Sequence, residues 1–200
     1  MKYALFFFPL LLSLGMVACD KDMDEPEPLP LDNFFPTSRG SYWTYAGYDG
    51  GLTYNVEITG TDTINGIPYV TFNHSLYGTG KFRKNGGSYY HLFNINGTDT
   101  EFLYLKHDQA AGHTWTMEYS MSGIPTRLKY TIEEVDVDKV INGMFYKDVI
   151  SVRMDTYIDQ GGGFDSVYIS GIYHYANNIG FIFSDVSGEG MTYLEFFNIK

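Results

Sequence analysis

The chain has 200 residues, with 13 Lys and Arg against 24 Asp and Glu and a formal net charge of −11. That balance excludes charge-driven binding to nucleic acid or to anionic lipid surfaces. Aromatic residues make up 18 %, with 18 tyrosines beside 22 glycines, a pairing that points to β-structure with many turns.

Residues 1–18 have the layout of a secretory signal. Lys2 supplies the positive start, and Leu5-Phe6-Phe7-Phe8-Pro9-Leu10-Leu11-Leu12 begins an apolar run that ends in the small residue Ala18. The run is too short for a membrane-spanning helix, which needs roughly 20 apolar residues. Cys19 follows directly and is the single cysteine, so an internal disulfide is impossible. Met16-Val17-Ala18-Cys19 resembles the cleavage site of bacterial lipoproteins, with Met16 where Leu is favoured. The resemblance implies a lipid-attachment site at Cys19, carrying acyl chains such as palmitate. Each buried methylene of such a chain contributes about 0.8 kcal/mol, so more than one chain gives a stable anchor.

Behind Cys19, the run Asp20, Lys21, Asp22, Met23, Asp24, Glu25 resembles the export signal of Bacteroidetes-type surface-exposed lipoproteins. It implies an outer-membrane address facing the cell exterior, with Asp20, Lys21, Asp22, Asp24 and Glu25 as the signal. Pro26, Pro28 and Pro30 favour an extended spacer, so residues 19–32 read as a tether. Asp20, Asp22 and Asp24 also begin like a calcium loop. The glycine at its sixth position and the glutamate at its twelfth are missing.

From residue 33 to 200 the pattern is that of one all-β domain. Leu52, Tyr54, Val56 and Ile58 alternate with Thr53, Asn55, Glu57 and Thr59, the period of a half-buried strand. Leu128, Tyr130 and Ile132 alternate in the same way with Lys129, Thr131 and Glu133. Asn65-Gly66, Asn96-Gly97 and Asn142-Gly143 are hairpin signals, because a type I′ turn needs positive φ at both central positions. Asn85-Gly86-Gly87, Gly161-Gly162-Gly163 and Ser187-Gly188-Glu189-Gly190 mark looser turns. The segments between them predict an antiparallel meander of about a dozen strands, which closes as a barrel or folds over as a sandwich.

The chain also repeats itself, predicting duplicated halves over about 40–105 and 112–197. Gly40-Ser41-Tyr42-Trp43-Thr44 returns as Gly112-His113-Thr114-Trp115-Thr116, and Ile64-Asn65-Gly66 returns as Ile141-Asn142-Gly143. Tyr89-Tyr90-His91 is matched with Ile172-Tyr173-His174, and Phe102-Leu103-Tyr104-Leu105 with Tyr193-Leu194-Glu195-Phe196-Phe197. The body resembles uncharacterised surface-lipoprotein domains that open with Phe-Pro and then Gly-x-x-Trp-x-Tyr. Phe35-Pro36, Gly40–Tyr45 and the closing stretch Tyr173–Phe181 carry that resemblance. It implies a β-rich exported domain and no known reaction.

Catalytic signatures are missing from the sequence. No Gly-x-Ser-x-Gly or His-Glu-x-x-His occurs, and Gly78-Thr79-Gly80-Lys81 has the wrong spacing for a phosphate loop and reads as a hairpin turn. Glu133-Glu134 and Asp136/Asp138 are the carboxylate pairs to consider, with Asp136 and Asp138 on one face of a regular strand. His91 and His174 fall at matching places in the proposed halves, yet two histidines without a third ligand make no metal site. Trp43 and Trp115 read as matched core anchors. Asp62-Thr63-Ile64 and Asp165-Ser166-Val167 fit the O-glycosylation pattern of the proposed lineage, which makes Thr63 and Ser166 candidates.

These readings predict a non-enzymatic, lipid-anchored surface protein without cofactor or metal. Its role is binding, of a glycan, another ligand or an outer-membrane protein partner. The alternative is a structural accessory subunit of an outer-membrane complex. A concave tyrosine-lined cleft favours the first and a flat apolar patch the second.

Overall fold

A computed structural model describes residues 33–47, 51–95, 97–159 and 161–200, with only the backbone of Met121. Cys19, the acidic stretch behind it and Asn96 lie outside the described residues. The first six strands are β1 (Tyr42–Gly47), β2 (Tyr54–Ile64), β3 (Ile67–His74), β4 (Gly78–Asn85), β5 (Ser88–Ile95) and β6 (Thr98–Lys106). The second six are β7 (Thr114–Met121), β8 (Ile124–Ile141), β9 (Met144–Ile158), β10 (Val167–Ala176), β11 (Gly180–Val186) and β12 (Gly190–Asn198). Each strand pairs antiparallel with its sequence neighbour, except β6 with β7, and β1 also pairs with β12. The result is a nearly closed twelve-stranded barrel, the first of the two architectures expected from the sequence.

The seam between β6 and β7 carries no ladder and is held by side chains. Trp115 donates its indole N–H to the Leu103 carbonyl at 2.9 Å, and the Leu103 amide lies 3.1 Å from the Met117 sulfur. Bulges supply the bends that closure requires, among them register shifts at Thr44/Tyr45, Ile58/Gly60 and His174/Tyr175. Turn chemistry follows the sequence where it is described. Asn65 and Gly66 have φ of 51° and 78°, and Asn142 and Gly143 have 49° and 78°, the mirror-image turn that matches strand twist. Gly78–Lys81, read above as a hairpin turn, instead forms the first half of β4, because the reversal is made by residues 75–77.

Inward residues form two connected cores. One gathers Tyr89, Leu105, Trp115, Ile132 and Ile150, and the other Trp43, Ile58, Phe82, Val149, Ile182 and Leu194, with Phe35 and Phe181 packed against both. One end of the barrel is plugged by the segment leading into β1. The Phe34 amide donates to the Tyr89 hydroxyl at 2.9 Å, the Asn33 amide to Asn177 Oδ1 at 2.9 Å, and the Asn178 amide to the Asn33 carbonyl at 2.7 Å. The Phe35 ring then drops inside, 3.8 Å from the Phe82 ring and 5.6 Å from Trp43 between centroids.

Of the four matched segment pairs in the sequence, three occupy strands of the same rank in the two six-strand halves. The tryptophans sit on β1 and β7, the Asn-Gly turns join β2–β3 and β8–β9, and the closing apolar segments lie on β6 and β12. The hydrogen bonds at the first pair correspond. Gly40 N–H donates to the Ile58 carbonyl and Ile58 N–H to the Ser41 carbonyl, while Gly112 N–H donates to Ile132 and Ile132 N–H to His113. Both glycines have positive φ, 83° and 86°. The histidine pair fails this test, because His91 is on β5 and His174 on β10, the fourth strand of its half.

Candidate ligand cavity

The plug fills one end of the barrel, and the space behind it toward the other end is not filled. A cavity of about 880 Å³ reaches from Phe35 to the loop-proximal ends of β2 through β5. Ring-bearing side chains from both halves line it, including Phe72, His91, Tyr104, Tyr130, Tyr173 and Tyr175. No carboxylate, serine or cysteine is among the lining residues, and the single lysine, Lys81, is held by Asp62 Oδ2 at 2.7 Å on the outer face. The size is that of a small-molecule site, and the lining is mainly apolar.

Burial sets the protonation of the polar groups that do line it. The His91 imidazole, packed 4.3 Å from the Tyr104 ring and 5.9 Å from Phe72, is pushed down to about 4 by burial and stays neutral. Its Nε2 and the Tyr104 hydroxyl are buried without a hydrogen-bond partner. Burial raises the phenols of Tyr45, Tyr104 and Tyr175 well above the ordinary tyrosine value, and that of Tyr173 to about 12. Tyr45 satisfies its hydroxyl by donating to the Phe181 carbonyl at 3.1 Å. Apart from Lys81, paired with Asp62 on the outer face, the wall is therefore uncharged at neutral pH.

A column of rings runs from this interior to solvent. Tyr45 stacks on Tyr54 at 5.0 Å, Tyr54 on His74 at 4.5 Å, and His74 meets Tyr77 at 4.6 Å. Exposure rises along it from 5 % at Tyr45 to 85 % at Tyr77. His74 accepts the Leu76 amide at Nδ1, and partial burial lowers its pKa.

His174 does not join His91. Its neighbours Tyr173 and Tyr175 line the cavity, while His174 itself faces the other side of the sheet and stacks on Phe183. There Nδ1 lies 2.8 Å from Ser151 Oγ, Ser151 donates to Glu134 Oε2 at 2.7 Å, and Lys139 pairs with the same oxygen at 2.5 Å. The sequence reading missed this Ser-His-Glu grouping, since its members are spread over β8, β9 and β10. Its polarity is wrong for a nucleophile. The hydroxyl proton of Ser151 goes to the carboxylate, so the imidazole must donate to Oγ and cannot take a proton from it. Ser151 is also fully buried.

The other expected sites are dispersed. Asp136 and Asp138 are exposed, and the alternation that would align them is broken by register shifts and by a φ of 53° at Asp136. Trp43 and Trp115 are buried at 2 % and 9 % exposure. Thr63 and Ser166 are both exposed, Thr63 on β2 and Ser166 just before β10. Among the described residues no three His, Cys, Asp or Glu side chains converge as metal ligands.

No family model matches the chain, and no curated protein matches it. Two solved structures do. One, provisionally named a lipoprotein of Parabacteroides distasonis, aligns over 84 % of this chain and 99 % of its own, with 14 % identity and a TM-score of 0.52. The other, provisionally named an exported protein with a YmcC-like fold from Bacteroides fragilis, covers 84 % of this chain and all of its own, with 14 % identity and a TM-score of 0.50. At that identity the likeness is one of fold alone.

Proposed function

We propose that the protein is an exported lipoprotein that binds a small, largely apolar ligand inside its barrel without turning it over. The carrying observation is the cavity of about 880 Å³ with its wall of aromatic rings. A space of that size bounded by rings offers an apolar ligand many close contacts to make. The lining offers no nucleophile-base pair and no carboxylate couple, which supports binding over catalysis. A glycan is a poorer fit, since each hydroxyl buried without a partner costs free energy. The names of the two similar structures support export and lipid anchoring.

The test uses residues 19–200 with Cys19→Ala, titrated into N-phenyl-1-naphthylamine, an uncharged fluorophore. The reading expects saturable enhancement with one site per chain and a micromolar dissociation constant. Enhancement that rises without saturating, or none, overturns it. The accessory-subunit alternative draws on exposed apolar residues at the unplugged end, notably Leu52, Tyr77 and Tyr168. Co-purification of an outer-membrane protein, lost on changing all three to serine, would favour it.

A further inference from the structure

The β4–β5 ladder stops early. Its rungs run from Asn85↔Ser88 to Lys81↔Leu92 and end there. Three more rungs would be possible, Gly80 with Phe93, Thr79 with Asn94 and Gly78 with Ile95, and none forms. Both strands remain regular over this stretch, because Gly78–Gly80 stay paired to β3 and Phe93–Ile95 to β6. The two strands therefore diverge and leave a gap of roughly 10 Å along the strand direction, at about 3.3 Å per residue.

The gap opens onto the cavity. Residues on both of its edges line that space, and Phe93 does so while 49 % exposed to solvent. The β4 edge is thin. A Cβ at Gly78 would meet nothing within 4 Å, and the place of a Gly80 side chain is occupied by the Phe72 ring, whose Cζ would lie 2.2 Å from such an atom. No ion pair spans the gap among the described residues, since Lys81 turns outward to Asp62.

We infer that this gap is a side portal, through which the cavity admits an uncharged, chain-like or flat apolar molecule. The inference rests on the cavity being a binding site. The choice of an uncharged ligand follows from the wall. An anionic head would be stripped of water with no free cation to receive it, and a cationic head would find no carboxylate. Burial keeps His91 neutral and lowers the pKa of His74, the other lining histidine, so neither favours an imidazolium that could pair with an acid.

A portal and a contact site respond differently to obstruction. Blocking a passage slows arrival and departure equally and leaves the equilibrium unchanged, whereas loss of a contact acts mainly on departure. In the Cys19→Ala background, Thr79→Cys at the gap and Val167→Cys away from it would each be coupled to a polyethylene glycol maleimide of about 2 kDa. Stopped-flow with N-phenyl-1-naphthylamine should show both rate constants falling tenfold or more for the Thr79→Cys conjugate, with Kd changed less than twofold. The fall is read against the uncoupled Thr79→Cys variant itself, and the Val167→Cys conjugate should keep the rates of the uncoupled Val167→Cys variant. Unchanged rates at the gap, or a change confined to dissociation, overturn the portal. For ligand class, decan-1-ol should displace the fluorophore at least tenfold more effectively than decanoate or decyltrimethylammonium at pH 7.5. Equal displacement by either ion overturns the uncharged assignment. Loss of all fluorophore binding by the parent protein would strike the proposed function itself, so the two failures are separable.

Discussion

Trp43 donates its indole N–H to the carbonyl of Ile179 at 2.8 Å, joining the second residue of β1 to the turn between β10 and β11. That bond joins two of the three segments on which the sequence resemblance rests, and the third, Phe35-Pro36, reaches them through the Phe35 ring packed on Trp43 and through Asn33, held by Asn177 and Asn178. Phe35-Pro36 supplies the plug, Gly40–Tyr45 supplies the indole, and Tyr173–Phe181 supplies Asn177, Asn178 and the Ile179 carbonyl that receive them. Gly180 sits at φ 102° with the Phe34 carbonyl 3.5 Å from where its Cβ would be. The signature is the closed end of the barrel, written in three pieces.

Trp43→Phe should therefore leave the Ile179 carbonyl buried and unpaired and open a void beside Phe35. A cost of about 2 kcal/mol is expected, or a Tm lower by roughly 5 °C for a domain of this size. Trp115→Phe removes the corresponding bond to Leu103 and should cost a similar amount, but with a local signature. Because the β6–β7 seam has no ladder, its loss should raise amide exchange selectively in those two strands. Uniform exchange changes in both variants would refute the special role of the seam.

His91 gives a pH dependence with a defined sign. Its pKa falls from 6.5 to about 4 in the fold, so between those values the unfolded chain binds a proton that the folded chain does not. The stability tied to this histidine is complete above pH 6.5 and declines as the pH drops, by about 2 kcal/mol at pH 5. His91→Phe keeps the ring and removes both the titration and the unpartnered Nε2. Urea melts at pH 7 and pH 5 should show a smaller loss for the variant than for the parent. Equal losses would mean that the imidazole is protonated in place.

How much of this was legible in the sequence divides along a physical line. Alternation at Tyr54–Ile58 and Leu128–Ile132, and the pairs Asn65-Gly66 and Asn142-Gly143, are local signals, and strands and turns appeared where they predicted, whereas Leu52, expected on the buried face of the first run, lies before β2 and is exposed. The cavity was not legible. A residue facing an empty interior and one facing a packed core alternate identically, so Phe82 and His91 look alike along the chain although one is walled in and the other lines the cavity. Nor could the gap beside Gly80 be read, because it arises where pairing ceases between two strands that each remain regular. The glycines of Gly78-Thr79-Gly80 were a signal of sorts, taken for a turn.

Thr63 and Ser166 both stand exposed, as modification at these positions requires. Thr63 is exposed, and its amide is held by Asp62 Oδ1 at 2.7 Å, with Lys81 on the other oxygen of the same carboxylate. A glycan there would stand on the outer face of β2, clear of the cavity. Intact mass of the protein from its native host should show additions that disappear in Thr63→Ala and Ser166→Ala. A mass equal to that of the bare lipidated chain would rule out both sites.

Anchoring is the remaining expectation, and it separates into two experiments. If Cys19 carries the lipid and the lipid is what holds the protein, Cys19→Ala should move the processed protein from the membrane pellet to the soluble fraction. Retention of that variant in the pellet after carbonate washing would refute lipid attachment. If Asp20, Asp22, Asp24 and Glu25 direct export, replacing them with alanine should leave membrane association intact, because the acyl chains supply it at about 0.8 kcal/mol per methylene. The variant should instead become protected from protease added to intact cells. Protease access matters to the binding proposal as well. The plug fixes Asn33 at the closed end of the barrel, while Tyr77 and the β4–β5 gap lie toward the other end. On a surface-exposed protein, cleavage should therefore reach the exposed loop at residues 75–77 and be slowed when the fluorophore occupies the cavity. Equal cleavage of the native and alanine forms would remove the export signal from the account and leave only the anchor.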